Sequence, residues 1–225
     1  MIEYILLDLD DTILDFKWAE NQALTGTLTA FGIEPTEEVC SRYREINWDF
    51  WHALERKEVT REQLKVGRFR QLLSELGKEG DPAAMGEMYL QRLGHGHCFL
   101  PGALETLNVL KEKYRLFLVS NGNISVQQGR LESAGIAPYF ENIFISEAVG
   151  VNKPDKAFFD HCFGAIDGFR REESIIIGDS LTSDIKGGLD AGIRTCWFNP
   201  KGKPSRPDIR PHYEIRSLKE LQSIL

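Results

Sequence analysis

The chain has 225 residues, of which 42% are hydrophobic and 27% are charged, and its formal net charge is -7. This composition is typical of a folded globular protein and is too apolar for general disorder. The negative charge and the lack of any block of lysine and arginine argue against an electrostatic nucleic-acid binder, so we expect a small-molecule substrate. The length suits one sizeable core, or a main domain with a smaller one.

The apolar stretch at the N-terminus is too short for the core of a signal peptide, and no segment of the sequence reaches transmembrane length. We therefore expect a cytoplasmic protein with no membrane partner, either a monomer or a weak homodimer. The four cysteines lie far apart with no CxxC pair, which predicts reduced thiols rather than a zinc site or a disulfide framework.

Residues 3–9 form a nearly continuous apolar run ending in aspartate, which is typical of a strand buried on both faces of a parallel sheet. From about Trp18 to Gly94 the apolar spacing becomes helical. After Pro101, predicted helices alternate with the strand-like runs YRLFLVS, NIFIS, SIIIGD and RTCWFN, and a terminal helix begins at Ser217. The loop NPKGKPSRPDIRP is rich in proline and basic residues, and we expect a solvated connection there.

This order predicts an α/β fold, a doubly wound parallel sheet with its functional loops at the carboxyl ends of the strands. The helical segment interrupts the pattern directly after the first strand. We therefore predict a catalytic core of residues 1–15 and 98–225, and an inserted helical cap of residues 16–97.

Polar side chains follow several of the predicted strands, where the carboxyl ends of a doubly wound sheet converge. Each has an ordinary structural explanation by itself, since an aspartate after a strand often caps a helix and Ser-Asn-Gly is common in turns. Together, an acid pair, a hydroxyl, a lysine and a second acid pair supply the groups that phosphoryl transfer needs. These candidates are Asp8, Asp10, Ser120, Lys153, Asp179 and Asp184.

The chain-wide order of DxDx[TV], Ser, Lys and GDxxxxD motifs resembles the haloacid dehalogenase superfamily of phosphohydrolases. The resemblance implies a Rossmann-like core with a helical cap after the first strand, and it implies that the backbone carbonyl of Asp10 binds the metal. Mg²⁺ prefers hard oxygen ligands, so we expect Asp8 and Asp179 to hold it, with Mn²⁺ as a possible substitute. Asp184 is expected to position metal-bound waters or Lys153, although it could equally be an ordinary carboxylate on a first helical turn.

Asp8 is the predicted nucleophile, and it would form an aspartyl-phosphate intermediate. Asp10 would protonate the leaving alkoxide and then deprotonate water. Because three other carboxylates already balance one Mg²⁺ and Lys153, we expect Asp10 to start the reaction protonated. Ser120 and the backbone amides of Asp11 and Asn121 are expected to hold the phosphoryl oxygens, and Gly122 is expected to face the same cleft.

An acid two residues after the nucleophile favours phosphate ester hydrolysis over dehalogenation, because an alkoxide needs a proton and a halide does not. A phospho-accepting signalling domain also combines acids, a hydroxyl, a lysine and magnesium. Such receiver domains are much shorter and carry no insert after the first strand.

Longer segments, among them EINWDFWHALERKEVTREQLKVGRF and VSNGNISVQQGRLESAGIAPYFENIFISEAVGVNKP, look like the pyrimidine 5'-nucleotidase branch of the superfamily. That resemblance implies hydrolysis of pyrimidine nucleoside monophosphates, including non-standard ones. A generalist sugar-phosphate or phosphoglycolate phosphatase is the alternative. Trp51 and Arg68 are candidate substrate contacts in the cap, although aromatic residues at helical spacing usually form core and an arginine there could pair with a helix carboxylate.

Overall fold

A computed structural model describes residues 1–225 apart from the side chain of Glu55. The chain divides into two compact units. The α/β unit comprises Met1–Phe16 and His97–Leu225, and the helical unit comprises Lys17–Gly96. None of the helices in the described part of the chain has the length and apolar character that a membrane span requires.

The α/β unit contains one sheet of six parallel strands in the order β3-β2-β1-β4-β5-β6. The predicted α/β fold with a doubly wound parallel sheet is therefore confirmed. The strands are β1 (Tyr4–Leu7), β2 (Arg115–Ser120), β3 (Asn142–Ile145), β4 (Ser174–Gly178), β5 (Arg194–Phe198) and β6 (Tyr213–Ile215). The sixth strand was not predicted, because three residues after a proline-rich loop carry too little periodic signal.

Side chains along the central strands point alternately to the two faces of the sheet, and both faces are covered. In β1, Ile5 and Leu7 pack into one apolar cluster, whereas Tyr4 and Leu6 pack into the other. This two-sided burial explains why the strand is a continuous apolar run rather than an alternation of polar and apolar residues.

Helices connect the strands and cover the sheet. They are α5 (Ala103–Leu110), α6 (Ile124–Ala134), α7 (Ser146–Val149), α8 (Lys156–Gly164), α9 (Lys186–Asp190) and α10 (Leu221–Ile224). The helix predicted near residues 182–191 begins instead as a π-helical turn, Leu181–Ile185, and only then becomes α9.

Among the residues that the structure describes, the helical unit contains four helices: α1 (Phe16–Ala30), whose first residue belongs to the α/β unit, α2 (Glu37–Glu55), α3 (Arg61–Glu75) and α4 (Pro82–His95). Side chains cap the first turns of α2, α3 and α4. Thr60 and Gln63 form a reciprocal capping box at α3, and Asp81 caps α4 ahead of a proline at its first position. The interior holds three mutually packed rings, Tyr43, Phe69 and Tyr89, with centroids 5.1–5.7 Å apart.

The sheet topology brings separate parts of the sequence to one edge. Leu7 at the end of β1 is level with Leu118 in β2 and with Ile177 in β4. The residues that follow these strands therefore emerge side by side. The strand order also reverses at β1, and doubly wound sheets bind ligands at that position.

Candidate active site

Asp8 directly follows β1, and its amide donates to the carbonyl oxygen of Ile177 at 3.0 Å. Its carboxylate is held from two sides: Thr12 Oγ1 donates to Oδ2 at 3.0 Å, and Lys153 Nζ donates to Oδ1 at 2.8 Å. The side chain is only 10% exposed. Asp8 is thus an oriented carboxylate beside a buried ammonium group.

Lys153 is buried, and its ammonium group donates to three acceptors: Asp8, Asp184 at 2.7 Å and the carbonyl oxygen of Val119 at 2.7 Å. Burial would lower the pKa of Lys153, but the carboxylates of Asp184 and Asp8 raise it overall. The lysine therefore stays charged. Its backbone is fixed by Asn121, whose amide side chain accepts from the N–H of Lys153 and donates to its carbonyl oxygen, both at 2.8 Å.

Asp179 and Asp184 follow β4. Asp184 is buried in the π-helical turn, where its Oδ2 accepts from the amide of Ser180 at 3.1 Å while its Oδ1 accepts from Lys153. Gly178 makes room for this carboxylate, since a Cβ there would lie 2.3 Å from the Asp184 carboxyl group. Burial, and next to it the charge of Asp184, raises the pKa of Asp179 to about 6.

Oxygen atoms of Asp8, Asp179 and Asp184 all lie within 4.8 Å of one another. Burial raises the pKa of Asp8 well above its ordinary value; Lys153 opposes this, and the neighbouring carboxylates, Asp184 first among them, add to it. The buried cation beside this cluster, Lys153, does not balance three carboxylates. Hard oxygen donors in this arrangement fit a divalent cation such as Mg²⁺, which would supply the missing positive charge.

Asp10 and Ser120 are joined by two residues of α6 that the sequence patterns did not single out. Arg130 Nη1 forms a short ion pair with Asp10 Oδ1. Gln127 Nε2 donates at 2.6 Å both to Asp10 Oδ2 and to Ser120 Oγ. The charge count behind the expected proton on Asp10 did not include the guanidinium of Arg130, so that proton stays a prediction. Both α6 residues are polar at buried helix positions, beside Val126 and Leu131.

The structure gives the Asp11 amide a different partner from the predicted phosphoryl oxygen. Asp11 has a positive φ of 57°, and its amide donates to the carbonyl oxygen of Leu14 at 2.8 Å. Its carboxylate accepts from the amide of Phe16 at 3.0 Å. This amide closes the turn after β1 and is not free to hold a phosphoryl oxygen. Gly122 is buried against Gln127. A Cβ atom added at Gly122 would lie 2.8 Å from the Gln127 side chain.

The basic loop after β5 reaches the site, contrary to its expected role as a solvated connection. Lys203 Nζ donates to Asp179 Oδ2 at 3.1 Å. The buried side chain of Asn199 fixes this loop, because it accepts from the N–H of Lys203 at 2.8 Å and donates to its carbonyl oxygen at 3.0 Å. The composition of the loop does not reveal which of its cations faces the carboxylates.

Trp51 and Arg68 lie in the helical unit. Trp51 is half-buried on α2, with the guanidinium carbon of Arg61 5.9 Å from its ring centroid. Arg68 is buried on α3, where it donates to Asn47 Oδ1 at 2.9 Å and lies 4.5 Å from the centroid of the Tyr89 ring. These contacts are internal to the unit, so contact of either residue with a substrate stays a prediction.

The sequence model of the haloacid dehalogenase-like hydrolases matches residues 2–192, which is most of the chain. The chain belongs to this hydrolase family. It is similar to the HAD-hydrolase YfnB of Bacillus subtilis, with 43% identity over 98% of this chain and 94% of that protein. The structure of YfnB bound to magnesium superposes with a TM-score of 0.94, covering 100% of this chain and 98% of that chain at 42% identity.

Two further relatives of this hydrolase are pyrimidine 5'-nucleotidases by name. PynA of Streptococcus pneumoniae is 38% identical over 99% of this chain and 94% of that protein. YjjG of Escherichia coli is 31% identical over 99% of this chain and 97% of that protein. The similarity therefore includes the helical unit as well as the α/β unit.

Proposed function

We propose that the chain is a phosphomonoesterase that forms an aspartyl-phosphate on Asp8. The arrangement of this carboxylate supports the proposal most directly, since Lys153 holds one oxygen and Thr12 holds the other. A phosphate dianion repels an attacking carboxylate, and the buried ammonium group offsets that repulsion. The two hydrogen bonds also orient the nucleophile for in-line attack.

In the first step, an oxygen of Asp8 bonds to phosphorus while the bond between phosphorus and the ester oxygen breaks. Asp10 gives its proton to the departing alkoxide and becomes a carboxylate. In the second step, Asp10 takes a proton from the water that attacks phosphorus, the bond from phosphorus to Asp8 breaks, and phosphate leaves.

The phosphoryl group needs donors that do not react. Ser120 would donate its hydroxyl hydrogen to one phosphoryl oxygen, and the backbone amide of Asn121 would donate to another. Lys153 would exchange one of its three present acceptors for a phosphoryl oxygen. Ser120 is the last residue of β2, Asn121 follows it, and Lys153 donates to the carbonyl oxygen of Val119 in the same strand. Loss of the Ser120 hydroxyl is expected to weaken turnover without abolishing it.

Asp8 and Asp179 would hold Mg²⁺ together with the backbone carbonyl of Asp10, and Asp184 would orient Lys153. When bound, the ion neutralises phosphoryl charge and polarises the phosphorus centre. Magnesium in the structure of YfnB supports the choice of metal. Mn²⁺ also accepts oxygen ligands and is the expected substitute.

The proposed substrates are pyrimidine nucleoside 5'-monophosphates, including non-standard ones. The support is the activity for which PynA and YjjG are named, since both resemble this chain along nearly its whole length. The proposed contacts of the α/β unit are all with the phosphoryl group, which every substrate shares. Discrimination among leaving groups would therefore come from the helical unit. Trp51 is the candidate for stacking on the base, and Arg68 is the candidate polar contact.

The test of the reaction is a phosphate-release assay in Mg²⁺ with nucleotides, sugar phosphates and phosphoglycolate. Asp8→Asn is expected to abolish release, while Asp190→Asn, an exposed carboxylate, serves as the control. Hydroxylamine should convert the acyl phosphate on Asp8 to a hydroxamate that peptide mass spectrometry detects. Stoichiometric labelling without repeated release would favour a signalling domain, and preference for sugar phosphates or phosphoglycolate would overturn the nucleotide proposal.

Stacking by Trp51 has its own test. Trp51→Ala is expected to raise KM for uridine 5'-monophosphate but not for a sugar phosphate. Trp48→Ala is the matched control, because Trp48 lies on the same helix and is 65% exposed. Unchanged kinetics for Trp51→Ala would rule out the stacking role.

A further inference from the structure

Helix α6 carries two polar residues three positions apart on its buried face. Gln127 and Arg130 are 1% and 0% exposed. Desolvating a guanidinium group is costly unless its charge is paired. The carboxylate that pairs with Arg130 is Asp10, which lies 120 residues away and belongs to the proposed chemistry.

The two residues together hold both carboxylate oxygens of Asp10. Arg130 Nη1 contacts Oδ1, and Gln127 Nε2 donates to Oδ2 at 2.6 Å. The guanidinium carbon of Arg130 also lies 5.6 Å from the ring centroid of Phe16, so the arginine is packed as well as paired. Held at both oxygens, the carboxylate has little freedom to rotate.

Gln127 extends this arrangement to Ser120. Its Oε1 accepts from Arg130 Nη1 at 3.3 Å, which sets the direction of the amide and turns Nε2 toward Asp10 and Ser120. An amide nitrogen only donates, so Ser120 Oγ must accept from it. The hydroxyl hydrogen of Ser120 is then free to donate elsewhere, as a hydroxyl that binds a phosphoryl oxygen must.

We propose that Arg130 and Gln127 are positioning residues, which orient Asp10 toward the leaving oxygen and Ser120 toward the phosphoryl group. The inference rests on the proposed function, because it assigns no chemistry of its own to either residue. Gly122 leaves room for the Gln127 side chain in this arrangement, since a Cβ atom at position 122 would overlap it.

Leaving-group dependence separates positioning of Asp10 from a general structural role. The uridine leaving group is an alkoxide that needs a proton, whereas p-nitrophenolate leaves without one. A misplaced Asp10 therefore lowers kcat/KM, which reports the first step alone, more for uridine 5'-monophosphate than for p-nitrophenyl phosphate. A merely loosened fold slows both substrates alike.

We expect Arg130→Met to lower kcat/KM for uridine 5'-monophosphate by on the order of tenfold or more, with a change in kcat/KM below roughly threefold for p-nitrophenyl phosphate. Arg130→Lys keeps the cation and should recover part of the loss. Gln127→Leu should lower kcat/KM for both substrates, because Ser120 contacts the group they share, with the larger loss for the nucleotide. Gln128→Leu, exposed on the same helix, is the control.

Equal losses with both substrates, or no loss, would overturn the inference. If Arg130→Met does not fold, Arg130→Lys and Gln127→Leu test the inference instead, through the same comparison of the activity lost with each of the two substrates. Asp10→Asn distinguishes this failure from failure of the proposed function. If Asp10→Asn shows the leaving-group dependence and the helix variants do not, only the positioning role is wrong; if Asp10→Asn lacks it, the acid–base role of Asp10 is wrong.

Discussion

The metal-free site is expected to cost stability at neutral pH, and Asp179→Asn tests this. Burial, with Asp184 adding to it, raises the pKa of Asp179 from 3.8 to about 6. Each tenfold change in an acid dissociation constant corresponds to about 1.4 kcal/mol, and the side chain is only 21% exposed. The ionised carboxylate therefore destabilises the folded protein by about 2 to 3 kcal/mol above pH 6, and the neutral amide should recover most of that.

The sign of the pH dependence follows from proton binding. Between about pH 4 and 6 the folded protein holds a proton on Asp179 that the unfolded chain has lost, so wild-type stability falls as the pH rises through this window. Above about pH 6 the folded carboxyl group is also ionised and the difference is constant. The advantage of Asp179→Asn should thus be small near pH 4, grow up to about pH 6, and then stay level.

The assay is urea unfolding in EDTA at pH 4.5 and pH 7.5, comparing wild type, Asp179→Asn and the control Glu172→Gln. Glu172 is exposed, so its neutralisation should change stability by less than about 0.5 kcal/mol. In thermal melts at pH 7.5 the Asp179 variant should unfold about 4 to 10 °C higher than wild type. Saturating Mg²⁺ should stabilise the wild type and reverse the order, because the variant lacks a ligand.

Two results would refute this reasoning. The first is a metal-free Asp179→Asn protein that is no more stable than wild type at pH 7.5. The second is a gain of equal size at pH 4.5 and pH 7.5, which would mean that packing, and not charge, is responsible.

Three further outcomes follow from the same structure. Gly178→Ala should lower the free energy of unfolding in urea by about 1 to 3 kcal/mol, since the new Cβ would overlap the Asp184 carboxyl group; a change below about 0.5 kcal/mol would contradict the close packing. Lys203→Met should tighten Mg²⁺ binding about two- to fivefold in calorimetry, because a competing exposed cation is removed; unchanged affinity would mean that the contact is inconsequential. Burial raises the pKa of the Cys162 and Cys196 thiols to about 12, so neither should react with iodoacetamide at pH 8 before denaturation, and rapid alkylation of either in the native protein would contradict their burial.

Much of the fold was predictable because its signals are local. Continuous apolar runs at β1 and β4 indicate strands covered on both faces, and the alternation with helices indicates a parallel sheet. The candidates Asp8, Asp179 and Lys153 were found the same way, since the ends of parallel strands meet at one edge of the sheet. The short strand β6 and the π-helical turn at Leu181–Ile185 have no comparable periodic signal.

The sequence by itself determined which chemical groups follow the central strands, because strand ends and turn residues are set by neighbours along the chain. Only the tertiary structure decided how those groups are paired. Arg130 lies 120 residues from Asp10, and Lys203 lies 24 residues from Asp179. Which cation faces which carboxylate depends on helix rotation and loop packing, and no local pattern of residues specifies either of them.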